Sequence, residues 1–386
     1  MFGTVLNSRR FFLGAMSCAV LLLGGCGGFF DKTSDDSGGG GDTGSGTGNY
    51  LYVGNAGSKT VSGYQISTSG SLTAITGTPV SITDGTNQFA PTALAVTRSN
   101  KYLYVGTAQG VFGFQIGTKG ALSKIANGVV LQSIAVASLE TSPDGKWLIV
   151  LGKDAATLQS TILTAFTIAS DGTIGPNDST IFISSTSTPH EVHIAPNASY
   201  IYATVGTDGT LICKFNTTAG KFVDQPFQFN PVSGATSDNS LAITPDGSKL
   251  YLARSGADPG LTLYTIGTDG RLTSGAKYTT GDTPFSVVMD NAGKYIYVAN
   301  NGDNSISGYV VGAGGALTAA PSSPYSAANG ITALGAESKG NWIVGVASKG
   351  TPNISLYGFD SANAGRIYTV ASASAGTTPG ALALTH

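Results

Sequence analysis

Residues 50–66, YLYVGNAGSKTVSGYQI, place an apolar aromatic run, a turn rich in Gly and Asn, and a second apolar run in immediate succession. Aromatic and β-branched residues favour the pleated backbone, and Gly and Asn accept the positive φ angles of tight turns, so the stretch reads as a β-hairpin. The same unit recurs. Tyr102, Trp147, Tyr200, Lys249, Tyr295 and Trp342 open six further runs like that at Tyr50, at spacings of 52, 45, 53, 49, 46 and 47 residues. A matching second strand follows each, as in Phe112-Gly113-Phe114-Gln115-Ile116 and Ser307-Gly308-Tyr309-Val310-Val311.

A repeat of about 40–50 residues built only from strands and turns matches a four-stranded propeller blade. A further strand precedes every aromatic run except the one at Tyr50. Its missing copy stands at the other end of the chain, where Pro379-Gly380-Ala381-Leu382-Ala383-Leu384 matches Pro91-Thr92-Ala93-Leu94-Ala95-Val96. The expectation is an all-β, seven-bladed β-propeller over 49–386, closed by the C-terminal strand pairing with the N-terminal blade.

Composition fits a folded chain. With 41% hydrophobic residues and only 11% charged among 386, the sequence is too apolar for disorder. Its 20 Lys and Arg against 22 Asp and Glu leave no basic surplus for a phosphate backbone, so a nucleic-acid partner is not expected. Closure by the C-terminal strand pairs the edge that the first aromatic run would otherwise expose, and the expectation is a monomer.

Because the copies align without gaps along the strand before each aromatic run, they can be compared with one another. Leu94, Leu139, Val192, Leu241, Val287, Leu334 and Leu382 occupy one position, as packing between blades requires. Flanking positions carry small residues, including Ala93, Ser138, Ser240, Ser286, Ala333 and Ala381 at a first level and Ala95, Ala242 and Ala383 at a second. Blades three and four break this rule: Glu191 stands at the first level, Glu140 and His193 at the second. Glu191 and His193 share a strand face, and His190 sits just before them on the other.

Three readings of this cluster stay open. Glu140 and His193 are a structural polar pair satisfying each other near the axis. Alternatively, His193 or His190 removes a proton from water while a carboxylate orients the imidazole, in a ring-opening hydrolysis. In the third, Glu140, Glu191 and His193 hold a divalent metal such as Zn²⁺ or Mn²⁺, although no cofactor is otherwise expected. No G-x-S-x-G motif is present to support a serine nucleophile.

The motifs Tyr52-Val53-Gly54-Asn55, Tyr297-Val298-Ala299-Asn300, Pro143-Asp144-Gly145 and Pro245-Asp246-Gly247 resemble the YVTN and lactonase-like seven-bladed propellers, of 6-phosphogluconolactonase or carboxymuconate-cyclase type. The resemblance implies a possible lactone hydrolase, and it implies for Pro189-His190 a histidine facing the central cavity. It also implies a His or Arg on the next inner strand, where this chain has Asp238-Asn239-Ser240, and an acidic strand end, where it has Ala253-Arg254. Arg254 is therefore either the cation of the site or a loop arginine in solvent. The alternative function is a non-catalytic envelope module that binds a protein or glycan through loops around 81–89 and 155–161.

The N-terminus carries Arg9 and Arg10, then the apolar run Phe11 to Leu23, and ends in Leu23-Gly24-Gly25-Cys26. Residues 1–25 read as a signal peptide, and the resemblance to a lipobox implies cleavage before Cys26 and lipidation of its thiol. Arg9-Arg10 also fits twin-arginine export. Removing residues 1–25 leaves 18 basic and 22 acidic residues, a mature charge of −4. Residues 26–48 read as a lipidated Cys followed by a Gly/Ser/Asp linker reaching roughly 25 Å. Together these features predict a membrane-anchored lipoprotein of the bacterial cell envelope, on the periplasmic side or the outer membrane.

Overall fold

A computed structural model describes residues 48–184, 186–229 and 236–386; the expected signal peptide, Cys26 and nearly all of the linker lie outside them. The described strands form seven antiparallel sheets, the blades. Six are continuous in sequence, with inner strands Pro91–Val96, Ile134–Thr141, Glu191–Ile194, Thr236–Ile243, Pro284–Met289 and Ile331–Ala336. Blade one is composite. Its inner strand is Pro379–Leu384, which pairs with Tyr50–Asn55 in the register Leu51 to Leu384, Tyr52 to Ala383 and Val53 to Leu382. Each inner strand contacts the next, and the last contacts the first, so the ring closes as expected.

The second strand of each blade lies between two neighbouring sheets, which explains its nearly unbroken apolar sequence. Tyr50–Asn55 is buried at every residue, whereas the outer strand Leu272–Tyr278 is exposed along most of its length. Stability comes from these stacked faces. Among the described residues the one cysteine, Cys213, is free and buried, and burial pushes its thiol up to about 12.

The paired aromatic positions of the repeat acquire a specific meaning here. Tyr52, Tyr104, Tyr202, Tyr251 and Tyr297 are fully buried, and each hydroxyl donates to a glycine carbonyl in the hairpin of the next blade: Gly120, Gly172, Gly270, Gly315 and Gly365, at 2.7–2.9 Å. The residue two positions earlier packs on the same hairpin. A Cβ on Gly270 would stand 2.4 Å from the Tyr200 ring, and the backbone there has φ +78°, so both space and conformation require glycine. Blades three and seven lack the second tyrosine, having Ile149 and Val344 at that position. They carry tryptophan at the first: Trp147 covers Gly220 and donates Nε1–H to the Thr217 carbonyl at 2.8 Å, and Trp342 covers Gly70.

Removing one of these hydroxyls leaves a buried carbonyl without its donor. Tyr202→Phe is expected to lower stability by about 1–3 kcal/mol with the ring still packed, measured as a shift in the urea midpoint at unchanged m-value.

Candidate functional site

Because every blade runs antiparallel from its inner strand outward, all seven inner strands point the same way along the axis. They begin on one face of the ring, here the leading face, and end on the other, the trailing face. At the hub the strands crowd, and six of the seven aliphatic residues picked out by the repeat are buried between blades, Leu241 completely and Val192 at 2% exposure, with Leu382 partly buried.

Serines of the first level have a definite task. Ser138 Oγ accepts the Val192 N–H at 3.2 Å, Ser240 Oγ the Val287 N–H at 2.9 Å, and Ser286 Oγ the Leu334 N–H at 3.2 Å. Glu191 replaces serine in blade four yet keeps this bond, its Oε2 accepting the Leu241 N–H at 3.0 Å. Glu140, two residues further along its strand than Ser138, accepts the Ile194 N–H at 2.9 Å. Each carboxylate thus ties its blade to the next with one oxygen.

Their remaining capacity converges on His193. Its Nδ1 lies 3.4 Å from Glu140 Oε2 and its Nε2 3.4 Å from Glu191 Oε1, separations of an ion pair rather than of short hydrogen bonds. About a third of the His193 side chain is accessible. Burial alone would lower its pKa, but the two flanking carboxylates more than reverse this and raise it well above the ordinary value. This direction favours the imidazolium form of His193, in which the ring holds a proton rather than taking one.

His190 is the opposite case. Half-buried at the leading end of the same strand, it is held below its ordinary value by burial, with Glu191 and Asp238 only partly opposing. The ring is neutral at physiological pH.

Arg254 is not a loop arginine in solvent. It is 1% exposed, and its Nε donates to Asp238 Oδ1 at 2.7 Å, while its guanidinium lies 5.7 Å from the centre of the Tyr264 ring. Asp238, on the inner strand of blade five and fully buried, also accepts from Thr210 Oγ1 at 2.7 Å. Burial raises its pKa, and Arg254 acts against that rise. The two positions where the resemblance implies a base on the inner strand and an acid behind it thus hold the reverse pair. Sequence comparison passed over Asp238 and Thr210. The signal available was opposite charge at nearly equal distances from the turn between Ile243 and Lys249, which places Asp238 and Arg254 across from each other.

The expected metal set does not converge, because each imidazole nitrogen of His193 faces a different carboxylate. Among the described residues, no group of three or more His, Cys, Asp or Glu is arranged to hold a metal ion.

Three comparisons bear on this chain. The profile of the family described as "Lactonase, 7-bladed beta-propeller" matches residues 78–237 and 230–331. No curated protein matches the sequence. Among solved structures, the chain is similar to the periplasmic gluconolactonase PpgL of Pseudomonas aeruginosa, with 17% identity, 88% of this chain and 99% of that one covered, and a TM-score of 0.70. It is also similar to a Bacteroides fragilis protein provisionally assigned as a 6-phosphogluconolactonase, with 18% identity, 90% and 100% covered, and a TM-score of 0.70. A Kuenenia stuttgartiensis hydrazine synthase aligns at 15% identity, 80% and 92% covered, with a TM-score of 0.57. At these identities the similarity is one of fold, and the fold accommodates more than one chemistry.

Replacing His193 by Gln removes the positive charge between two carboxylates. His193→Gln is expected to cost about 1–3 kcal/mol, below the value for a fully buried pair because the ring is partly accessible. The sign of the pH dependence follows. The folded state binds this proton more tightly than the unfolded chain, so the stabilisation is complete below about pH 6.5 and fades as pH rises through the raised value. Denaturant midpoints taken at increasing alkalinity should fall in the wild type and converge on those of the variant.

Proposed function

We propose, from the premise that this chain belongs to the lactonase family of seven-bladed β-propellers, that it hydrolyses a lactone at the hub of blades three to five. One arrangement carries the reading: His193, on the inner strand of blade four between two carboxylates, is shifted toward its charged form, whereas His190, just before that strand, is shifted toward its neutral form. Titratable neighbours pushed apart in this way provide acid–base assignments.

In this reading His190 is the general base. It takes a proton from water as the water oxygen attacks the lactone carbonyl, giving a tetrahedral oxyanion. Collapse of that intermediate breaks the ring C–O bond, and the proton on His190 passes to the leaving alkoxide. Glu191 and Asp238, close enough to influence His190 electrostatically, favour the imidazolium formed in between. Glu140, Glu191 and His193 act as positioning residues: they fix the strand bearing His190 through bonds to Ile194 and Leu241. Arg254 acts through Asp238 rather than on substrate.

His190→Ala should lower kcat/KM on a hydrolysed lactone by at least about 100-fold with the fold intact. For the wild type, the acid limb of the kcat/KM profile should lie below about pH 6.5, since His190 must be neutral and its pKa is lowered. Unchanged turnover in the variant would remove the assignment.

We also infer export and anchoring through the lipid on Cys26, from the lipobox resemblance at residues 23–26. Cys26→Ala should move the protein from the membrane to the soluble fraction of cells. A second reading, an envelope binding module, is favoured by Leu158 and Phe182, which are 55% and 74% exposed on the leading side of blade three. Phe182 borders a cleft of about 340 Å³ with Ser187, Asp208, Leu211 and Pro226, which shares none of the hub residues. A wild type inert toward a panel of lactones would favour this second reading.

A further inference from the structure

The charge on the wall of the hub restricts what can enter it. The seven inner strands carry Glu140, Glu191, Asp238 and His193, and neither lysine nor arginine. His193 lies between Glu140 and Glu191, each ring nitrogen facing a carboxylate. Arg254 stands behind the wall on the second strand of blade five, 1% exposed and bonded to Asp238. Arg98 follows the first inner strand at the trailing face, where its Nη1 lies 3.2 Å from Nδ1 of His386, at the opposite end of the hub from His190. A phosphate or carboxylate bound near His190 would need an accessible cationic donor, and the accessible side chains of these strands offer it the carboxylates of Glu140 and Glu191 instead, with both His193 nitrogens facing them.

Resting on the lactonase reading above, the geometry points to an uncharged ring ester as substrate: a neutral sugar lactone, or a lactone of similar polarity, bearing neither phosphate nor carboxylate. The same wall gives the reaction a direction. Hydrolysis turns the neutral ester into a hydroxy acid, whose new carboxylate forms beside Glu191 and is disfavoured there by like charge. The exchange of charges at positions 238 and 254 is central to this discrimination, since it leaves Arg254 buried against Asp238 and away from the substrate.

The test compares D-glucono-δ-lactone with 6-phosphogluconolactone on the purified chain at low and high salt. The expected result is a kcat/KM at least about tenfold higher for the uncharged lactone, with the gap narrowing as salt screens the wall. Equal or better turnover of the phosphorylated compound overturns the inference. If neither is hydrolysed, the lactonase reading fails, and substrate charge is decided by calorimetric binding of the unreactive gluconolactam and its 6-phosphate. Lactam binding about tenfold tighter than its phosphate upholds the charge selection; tighter binding of the phosphate, or binding of neither, overturns it.

Discussion

An aromatic side chain seated on a hairpin glycine of the next blade, in five cases with a tyrosine hydroxyl donating to the glycine carbonyl, sets how one sheet stacks on another around the hub. Five interfaces use the hydroxyl, through Tyr52, Tyr104, Tyr202, Tyr251 and Tyr297. At the other two, Trp147 and Trp342 fill the same space over Gly220 and Gly70. Each contact combines an aromatic ring for burial with a glycine for clearance, and the five tyrosine hydroxyls and the Trp147 indole add a hydrogen bond. Repeated around a circle with the C-terminal strand as the last member, they bring seven inner strands together at one axis.

Crowding at that axis governs the chemistry. Most positions admit only alanine, glycine or serine, so a glutamate or histidine must find partners for every polar atom it brings. Glu140 and Glu191 do so by accepting the N–H groups of Ile194 and Leu241 and then facing His193. That arrangement raises the pKa of His193 and favours its charged form. His190, three residues earlier and outside the clamp, keeps a neutral ring.

The architecture was legible because the repeat is dense: spacing gave the blade number, and the match of Pro379–Leu384 to Pro91–Val96 gave the closure. The cluster of Glu140, Glu191 and His193 was legible for a related reason, since each stands where its counterparts in other blades are small. Asp238 escaped because the register shifts between Asp238 and Ser240, displacing it from the two levels being compared. Arg254 was misplaced because its neighbours at the same level, Asn55 and Asn300, are ordinary loop-end residues by sequence, and only the partner across the hairpin explains its burial. Protonation states were not legible either, for they depend on ångström-scale separations that a linear pattern does not contain.

The most direct measurement of the account is the pH titration of the histidine ring resonances by NMR, with His190 and His193 assigned by single substitution. The account predicts that His193 keeps its proton well above about pH 6.5 while His190 loses its own below that value. A His193 ring that is neutral at physiological pH, or a His190 ring that is charged there, would contradict it.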